Sequence, residues 1–321
     1  MTRSNYPREL FGPGEPHESR TDPGLSFWLG RLRIAEPQRA DALEVWPLLI
    51  DGEAGKPLVL LHQALAAGTI EVLEQGGGSV NQVVARNRGA VPVLVLEGEA
   101  IVGAKQNRAV VETVLIGAGQ TVGVPVGCVQ HGRWSASWGK FDIAPLPVDP
   151  SIRKHTVMEA AAAGHVNQAR LWADVAASLS SLEIRSTTAD YYEGIEVRHR
   201  AAVERARVFE SLPGQLGALV LASGGLLGLE IVGHPESWRA LARRTLPSYV
   251  MAADAAAREP RGGAEAPRHR ATEWLAAVAA AEVRVRPSRG LGTQLAIAGQ
   301  GFTGAGLWHE GRPAHLVVFP G

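Results

Sequence analysis

Apolar and polar positions change their rhythm part of the way along this chain. From about Leu43 to Gln130, short apolar runs of strand length follow one another: LEVWPLLI, PLVLLHQAL, TIEVLEQ, SVNQVVARN, VPVLVLEG, AVVETVLI and TVGVPVGCVQ. Gly76-Gly77-Gly78, Asn87-Arg88-Gly89 and Gly117-Ala118-Gly119-Gln120 separate them. Glycine and asparagine tolerate left-handed backbone angles, so these breaks read as turns, with a hairpin expected at Asn87-Arg88-Gly89. About six or seven strands in roughly 90 residues predict a sandwich-like or barrel-like layer. A short helical turn is expected near Ala64-Leu65-Ala66 within PLVLLHQAL.

The second half is mixed. Val166, Ala169, Leu171, Trp172, Val175 and Leu179 make an apolar stripe at helical spacing within a helix expected over about 158–182. Residues 189–211 are mostly helix formers. LGALVLASGGLLGLEIVG predicts a hairpin turning at Ser223-Gly224-Gly225. A helix follows, with an interruption expected near Pro247, which has no N–H to donate. ATEWLAAVAAAEVRV fits helix or strand, and three short strands close the chain. The fold class expected is therefore α+β. A mobile tail over 1–29 precedes a β-rich, site-bearing domain over 30–150, and a C-terminal α+β part over 151–321 packs on it.

Composition narrows the function classes. Lys+Arg and Asp+Glu are both 32, so no strongly basic surface marks a nucleic-acid binder. No run approaches eighteen uninterrupted apolar residues, so no membrane span is expected. The N-terminal residues lack the apolar core of a secretory signal, and the chain has one cysteine. Both features agree with a cytoplasmic, reducing setting.

The candidate chemistry gathers between Val91 and Trp134. Lys105-Gln106-Asn107-Arg108 is a polar knot inside apolar sequence, with Glu97 and Glu99 before it and Cys128 after it. Charges and amides are costly to bury unless paired, so a cluster like this is either a built site or a satisfied network. If VPVLVLEGE continues as a strand, Glu97 and Glu99 share a face with Val93 and Val95. They could then do acid/base work, or form ordinary ion pairs at a strand end. Lys105 and Arg108 suit an anionic group, and Gln106 and Asn107 suit amide or ribose edges. The other reading of the knot is a polar hairpin tip.

A regular strand would send the knot residues to both faces, so a single pocket needs a bend at Gly103-Ala104. Cys128 is a possible nucleophile, with His131 and Arg133 near it to favour the thiolate. Its parity with Val122, Val124 and Val126 makes a small core residue the plainer reading. Arg133 and Trp134 could line a pocket, and Trp138 could cap the sheet. Ser186-Thr187-Thr188 with Asp190 reads as a helix cap. His199, His234, His309 and His315 stand isolated. No metal-ligand cluster, phosphate loop or GxSxG element is present, and the pattern names no cofactor.

Glu97-Gly98-Glu99, Gly103 to Arg108, Val126 to Val129 and Gly132-Arg133-Trp134 together resemble the ARPP family, proteins associated with ADP-ribosylglycohydrolases and rhodanese-phosphatases. The likeness extends through Arg185 to Thr188, Leu246 to Tyr249 and Leu307 to Phe319, covering about residues 30–321. In that family a position after the valine is often acidic. Here Gln130 and His131 stand there, so that carboxylate is missing. The resemblance implies an enzyme acting on a nucleotide-type ligand in NAD or ADP-ribose metabolism. The alternatives are a non-catalytic module binding ADP-ribose or a nucleotide, and a structural protein with a buried ion-pair network.

Overall fold

The computed structural model describes residues 22–52, 54–74, 81–130, 140–163, 165–184, 190–258 and 268–321. A short helix α1 (Leu25–Leu29) leads into β1 (Leu32–Ile34), β2 (Gln38–Ala40) and β3 (Leu43–Ile50). Next come β4 (Val59–Leu60), α2 (Leu61–Ala66), β5 (Ile70–Glu74), β6 (Gln82–Asn87), β7 (Val93–Val95) and β8 (Ala100–Gly103). The β-rich part ends with β9 (Arg108–Val110), β10 (Val114–Ile116), β11 (Thr121–Cys128) and β12 (Phe141–Ile143). Helices α3 (Pro150–Ala163), α4 (Gln168–Ser181) and α5 (Tyr191–Ala206) precede the hairpin β13 (Gln215–Ala222) and β14 (Gly225–Val232). The chain closes with α6 (Pro235–Arg258), α7 (Arg268–Ala279), β15 (Glu282–Pro287), β16 (Thr293–Gly299), β17 (Phe302–His309) and β18 (Arg312–Pro320).

The fold is α+β and β-rich. One sheet runs β1-β3-β13-β14-β18-β17-β16-β15, with β2 on β3. A second runs β12-β8-β9-β11-β6-β5, and a bridge from Leu73 to Lys140 brings its two ends together as a nearly closed barrel. A third, β10-β7-β4, packs beside it.

The middle of the large sheet is covered on both faces, which explains why β3, β13 and β18 read as nearly continuous apolar runs. Leu316 and Val318 of β18 face one way, into a core with Leu25, Trp28 and Leu29 of α1 and Leu275 and Val278 of α7. Val317 and Phe319 face the other way, into a core with Ile152 of α3, Leu171 of α4, Ile195 of α5 and Leu241 of α6. A third core fills the barrel, built from Val83, Ala85, Ile101, Val110, Val124 and Val126.

Several expectations are corrected by this topology. Residues 25–29 form a helix with buried side chains, where the sequence placed the end of a tail. Strands β1 to β3 pair with β13, so a boundary at residue 150 cuts across one hydrogen-bonded sheet. No hairpin forms at Asn87, because β6 pairs with β5 and β11 while β7 joins β10 and β4. Asn87 turns its amide inward, with Nδ2 donating to the Val91, Ile116 and Gly117 carbonyls at 2.8, 3.1 and 3.1 Å.

The helix expected over 158–182 is two helices. Asn167 caps the second, its side chain accepting from Arg170 N at 3.2 Å. Helix α6 runs unbroken through Pro247, held on its buried side by Leu246, Tyr249 and Val250. The hairpin at Ser223-Gly224 forms as the sequence indicates, with both residues at positive φ (48° and 76°), the geometry of a tight two-residue turn.

Candidate functional site

Strand β7 ends at Val95, so strand parity does not bring Glu97 and Glu99 together. They sit in a tight turn closed by Glu99 N donating to Leu96 O at 3.2 Å, with Gly98 at φ 77°. Gly98 is pinned from both sides: its N donates to Val110 O at 2.7 Å, and its O accepts from Val148 N at 2.9 Å. Both carboxylates are 3 % exposed.

Glu97 is bound by Arg153 of α3, whose Nε donates to Oε1 at 3.1 Å and whose Nη2 donates to the same oxygen. Arg153 Nη1 donates to Glu230 of β14, and its guanidinium lies 5.2 Å from the Phe319 ring. Glu230 also accepts from Tyr249 Oη at 3.1 Å and from His315 Nε2 at 3.1 Å. The other ring nitrogen of His315 meets Thr113 Oγ1 at 2.9 Å, and that hydroxyl accepts from Glu97 N at 3.1 Å. A proton on His315 Nε2, with Nδ1 accepting from Thr113, satisfies every member of this chain.

Burial alone would raise the Glu230 carboxyl, but the charge of Arg153 and the hydrogen bond from His315 outweigh it and hold it at about 2. Burial, and then the Glu230 charge, push the Tyr249 phenol well above its usual value, so it stays a donor. Such a network breaks at high cost when one partner is removed, because the remaining charge is left buried.

Glu99 is poised differently. Its Oε2 accepts from Leu96 N at 3.2 Å, and Arg244 Nε of α6 lies 3.8 Å from Oε1. Burial raises the Glu99 carboxyl above its ordinary 4.5, and Arg244 and the Leu96 bond only partly offset this. Arg244 is fixed by its bond to Ala144 O at 2.8 Å. Burial, then Arg244, lowers nearby His62 to about 4, which leaves that imidazole neutral at pH 7. Glu97, Glu99, Arg153, Arg244 and His315 line one small cavity of about 10 Å³, room for roughly one water.

The polar knot lies elsewhere. The chain bends at Gly103 (φ 118°) and Ala104 (φ 42°), as a gathering of the knot requires, but it gathers onto the barrel. Arg108, with no exposed surface, donates from Nη2 to both oxygens of Glu74 at 3.0 and 3.2 Å and lies 5.8 Å from the Phe141 ring. Asn107 accepts from Gly103 N at 3.0 Å, donates to Asp190 Oδ2 at 2.9 Å and bonds Gln130 Oε1 through its backbone N at 3.2 Å. Gln106 Nε2 donates to Gln130 O at 3.2 Å. Lys105 is half-buried, its backbone N 3.5 Å from Glu74 Oε1. Lys105 and Arg108 do not line the Glu99 cavity.

Cys128 is fully buried at the end of β11. Gln168 of α4 clasps its backbone, with Nε2 donating to Cys128 O and Oε1 accepting from Cys128 N, both at 2.8 Å. The thiol donates to Gln130 O at 2.9 Å, and burial pushes its pKa up. His131, Arg133, Trp134, Trp138 and Ser186-Thr187-Thr188 lie outside the described residues. Among the described residues no group of three or more His, Cys, Asp or Glu side chains is arranged to hold a metal ion. No described helix is long and apolar enough to cross a membrane.

Sequence reasoning missed Glu74, Arg153, Glu230, Arg244 and Tyr249, and it left His315 isolated. The partners are 19 to 202 residues apart in the chain, so spacing carried no signal for them. The one local hint was a charged residue inside an otherwise apolar run, as Glu230 is in LGLEIVG.

The family model described as the ARG and Rhodanese-Phosphatase-superfamily-associated Protein domain, ARPP-1, matches residues 31–319. No curated protein and no solved structure matches the chain.

Proposed function

This chain belongs to the ARPP-1 family, and from that premise we propose that it is an enzyme acting on a nucleotide-type ligand in NAD or ADP-ribose metabolism, with its chemistry at the Glu97–Glu99 turn. One observation carries the reading: Glu99 is a buried carboxyl held toward its protonated form, beside Arg244, Arg153 and His315 in a common cavity. A carboxyl with a raised pKa serves as general acid or base near neutral pH, and guanidiniums stabilise negative charge developing at a phosphate or leaving oxygen. The acid/base role goes to Glu99. Glu97 is the positioning residue, because it holds Arg153 at the cavity wall. Cys128 has no part, since its thiol is buried and protonated.

Arg108, Gln106 and Asn107 are engaged with Glu74, Gln130 and Asp190, so they set the shape of the barrel end and leave ligand contacts to other groups. The cavity admits about one water, so substrate reaches Glu99 only if the α6 side parts from the turn.

The second reading is a non-enzymatic protein in which the same residues specify the fold. The closed circuit of Glu97, Arg153, Glu230 and His315 favours it. Calorimetric titration with ADP-ribose and with NAD, followed by a turnover screen of both, separates the two. The enzyme reading expects binding, and turnover that Glu99→Gln abolishes while the denaturation midpoint stays. Absence of binding to either compound removes the ligand class.

A further inference from the structure

Helix α6 has two working faces. At about 100° per residue, Leu241, Arg244 and Thr245 project toward one side, and Arg239, Ala242, Arg243 and Leu246 toward the opposite side. The first set lines the Glu99 cavity. The second lines a separate, much larger pocket of about 480 Å³ between α6 and the end of α5. That volume lies in the range of pockets that hold small molecules, roughly 300–1,000 Å³.

Much of the wall of this pocket is apolar, from Val203, Ala206, Phe209 and Leu246; Arg239 and Arg243 stand on its α6 side, and on the α5 side are Glu210 and Arg207, the latter bound to Glu204 at 2.8 Å. Arg239 and Arg243 are exposed, four residues apart on one helix face, and neither makes a salt bridge to any described residue. Their neighbours in the chain are used otherwise: Arg244 faces Glu99, and Arg205 is bound to Asp41 and Asp254. Like charges at this spacing repel each other, so an unoccupied pair is a liability that an anion would relieve. The floor is held in place: Glu210 O accepts from Gln38 Nε2 at 2.7 Å, and Phe209 N donates to Ala206 O at 3.1 Å. Pro247 also lines the pocket and has no N–H, so the Arg243 carbonyl lacks the donor an ordinary helix would supply.

We propose that this pocket binds a phosphorylated small molecule, with the phosphate oxygens on Arg239 and Arg243 and an apolar or aromatic body against Phe209 and Leu246. Arginine's planar fork suits phosphate bidentately. The site is independent of the proposed chemistry at Glu99.

The test is calorimetric titration of the full chain with pyrophosphate, ADP and adenosine, repeated on the double variant Arg239→Ala/Arg243→Ala and on the control Arg33→Ala. All substituted arginines are exposed, so folding is retained. The expected result is that ADP binds more tightly than pyrophosphate, with adenosine weakest. The double variant should weaken ADP about tenfold or more, since each bond to a charged group is worth about a factor of ten. Arg33→Ala, an exposed arginine on β1 that does not line the pocket, should leave that affinity unchanged. Equal binding by native and double-variant chains, an equal loss in Arg33→Ala, or no binding of ADP and pyrophosphate at all each overturns the proposal.

Discussion

Arg153 reaches Glu97 across the space that Gly98 leaves empty. A Cβ at Gly98 would lie 2.5 Å from Arg153 Nε and 2.6 Å from its Cδ. The positive φ of Gly98 and its missing side chain thus serve one end: a turn tight enough to present Glu97, and open enough to admit the guanidinium.

Gly98→Ala is therefore expected to cost more than backbone strain. Left-handed alanine costs about 1–2 kcal/mol, and displacing Arg153 from two buried carboxylates adds about 3–5 kcal/mol. Gly119→Ala is the control, with φ 71° and open space around its Cβ position. Urea midpoints should fall far more for Gly98→Ala than for Gly119→Ala; equal losses would contradict the account.

Stability should decline in acid through Glu230. Its carboxyl is held at about 2 in the folded chain against an ordinary 4.5. A depressed carboxyl contributes stability that is present above the unfolded value and is lost as pH falls toward the folded one. The window is thus about pH 4.5 down to 2. The contribution is on the order of 3 kcal/mol, at about 1.4 kcal/mol per unit. Unfolding free energies measured across that window should slope steeply for the native chain and more gently for Glu230→Gln.

Arg108→Ala should unfold the barrel end rather than subtract a ligand contact. It leaves the Glu74 carboxylate, 10 % exposed, without the Nη2 group that bonds both its oxygens. A loss of about 3–5 kcal/mol is expected, with a smaller one for Arg108→Lys, which keeps the charge but not the fork. A thermal scan showing no change for Arg108→Ala would return Arg108 to the ligand-binding candidates.

Cys128 should be silent to thiol reagents in the folded state. Its side chain is buried and its pKa raised, and the thiolate is the reactive form. Labelling should appear only with denaturant and follow global unfolding. Rapid labelling of native protein, or lost turnover in Cys128→Ala with the fold intact, would restore it as a nucleophile.

The strands of the β-rich part, the hairpin at Ser223-Gly224 and the helix of residues 191–206 were legible because each rests on local periodicity or turn chemistry. The break between α3 and α4 was not, because apolar residues continue through it and the capping residue, Asn167, sits among them. Pro247 misled because tertiary packing overrides the loss of one helical hydrogen bond. At the site, the sequence singled out Glu97 and Glu99 but read them onto a strand face where the chain makes a turn, and it tied a bend at Gly103-Ala104 to a single pocket that the bend does not make. It could not sort which charges face one another. Arg108 and Glu97 stand eleven residues apart, yet they join different networks, through Glu74 and Arg153, and only the barrel closure and the packing of α3 decide that.

The pH dependence of kcat/KM for a nucleotide-type substrate, in the native chain and in Glu99→Gln, tests the central claim most directly. Because burial raises the Glu99 carboxyl, the native profile should carry a limb displaced above 4.5. The rate should fall on the acid side of that limb if Glu99 acts as base, and on the alkaline side if it acts as acid. Glu99→Gln should lose that limb and most of the rate while keeping its urea midpoint. A variant that keeps both the rate and the limb would show that the chemistry, if any, lies outside the Glu97–Glu99 turn.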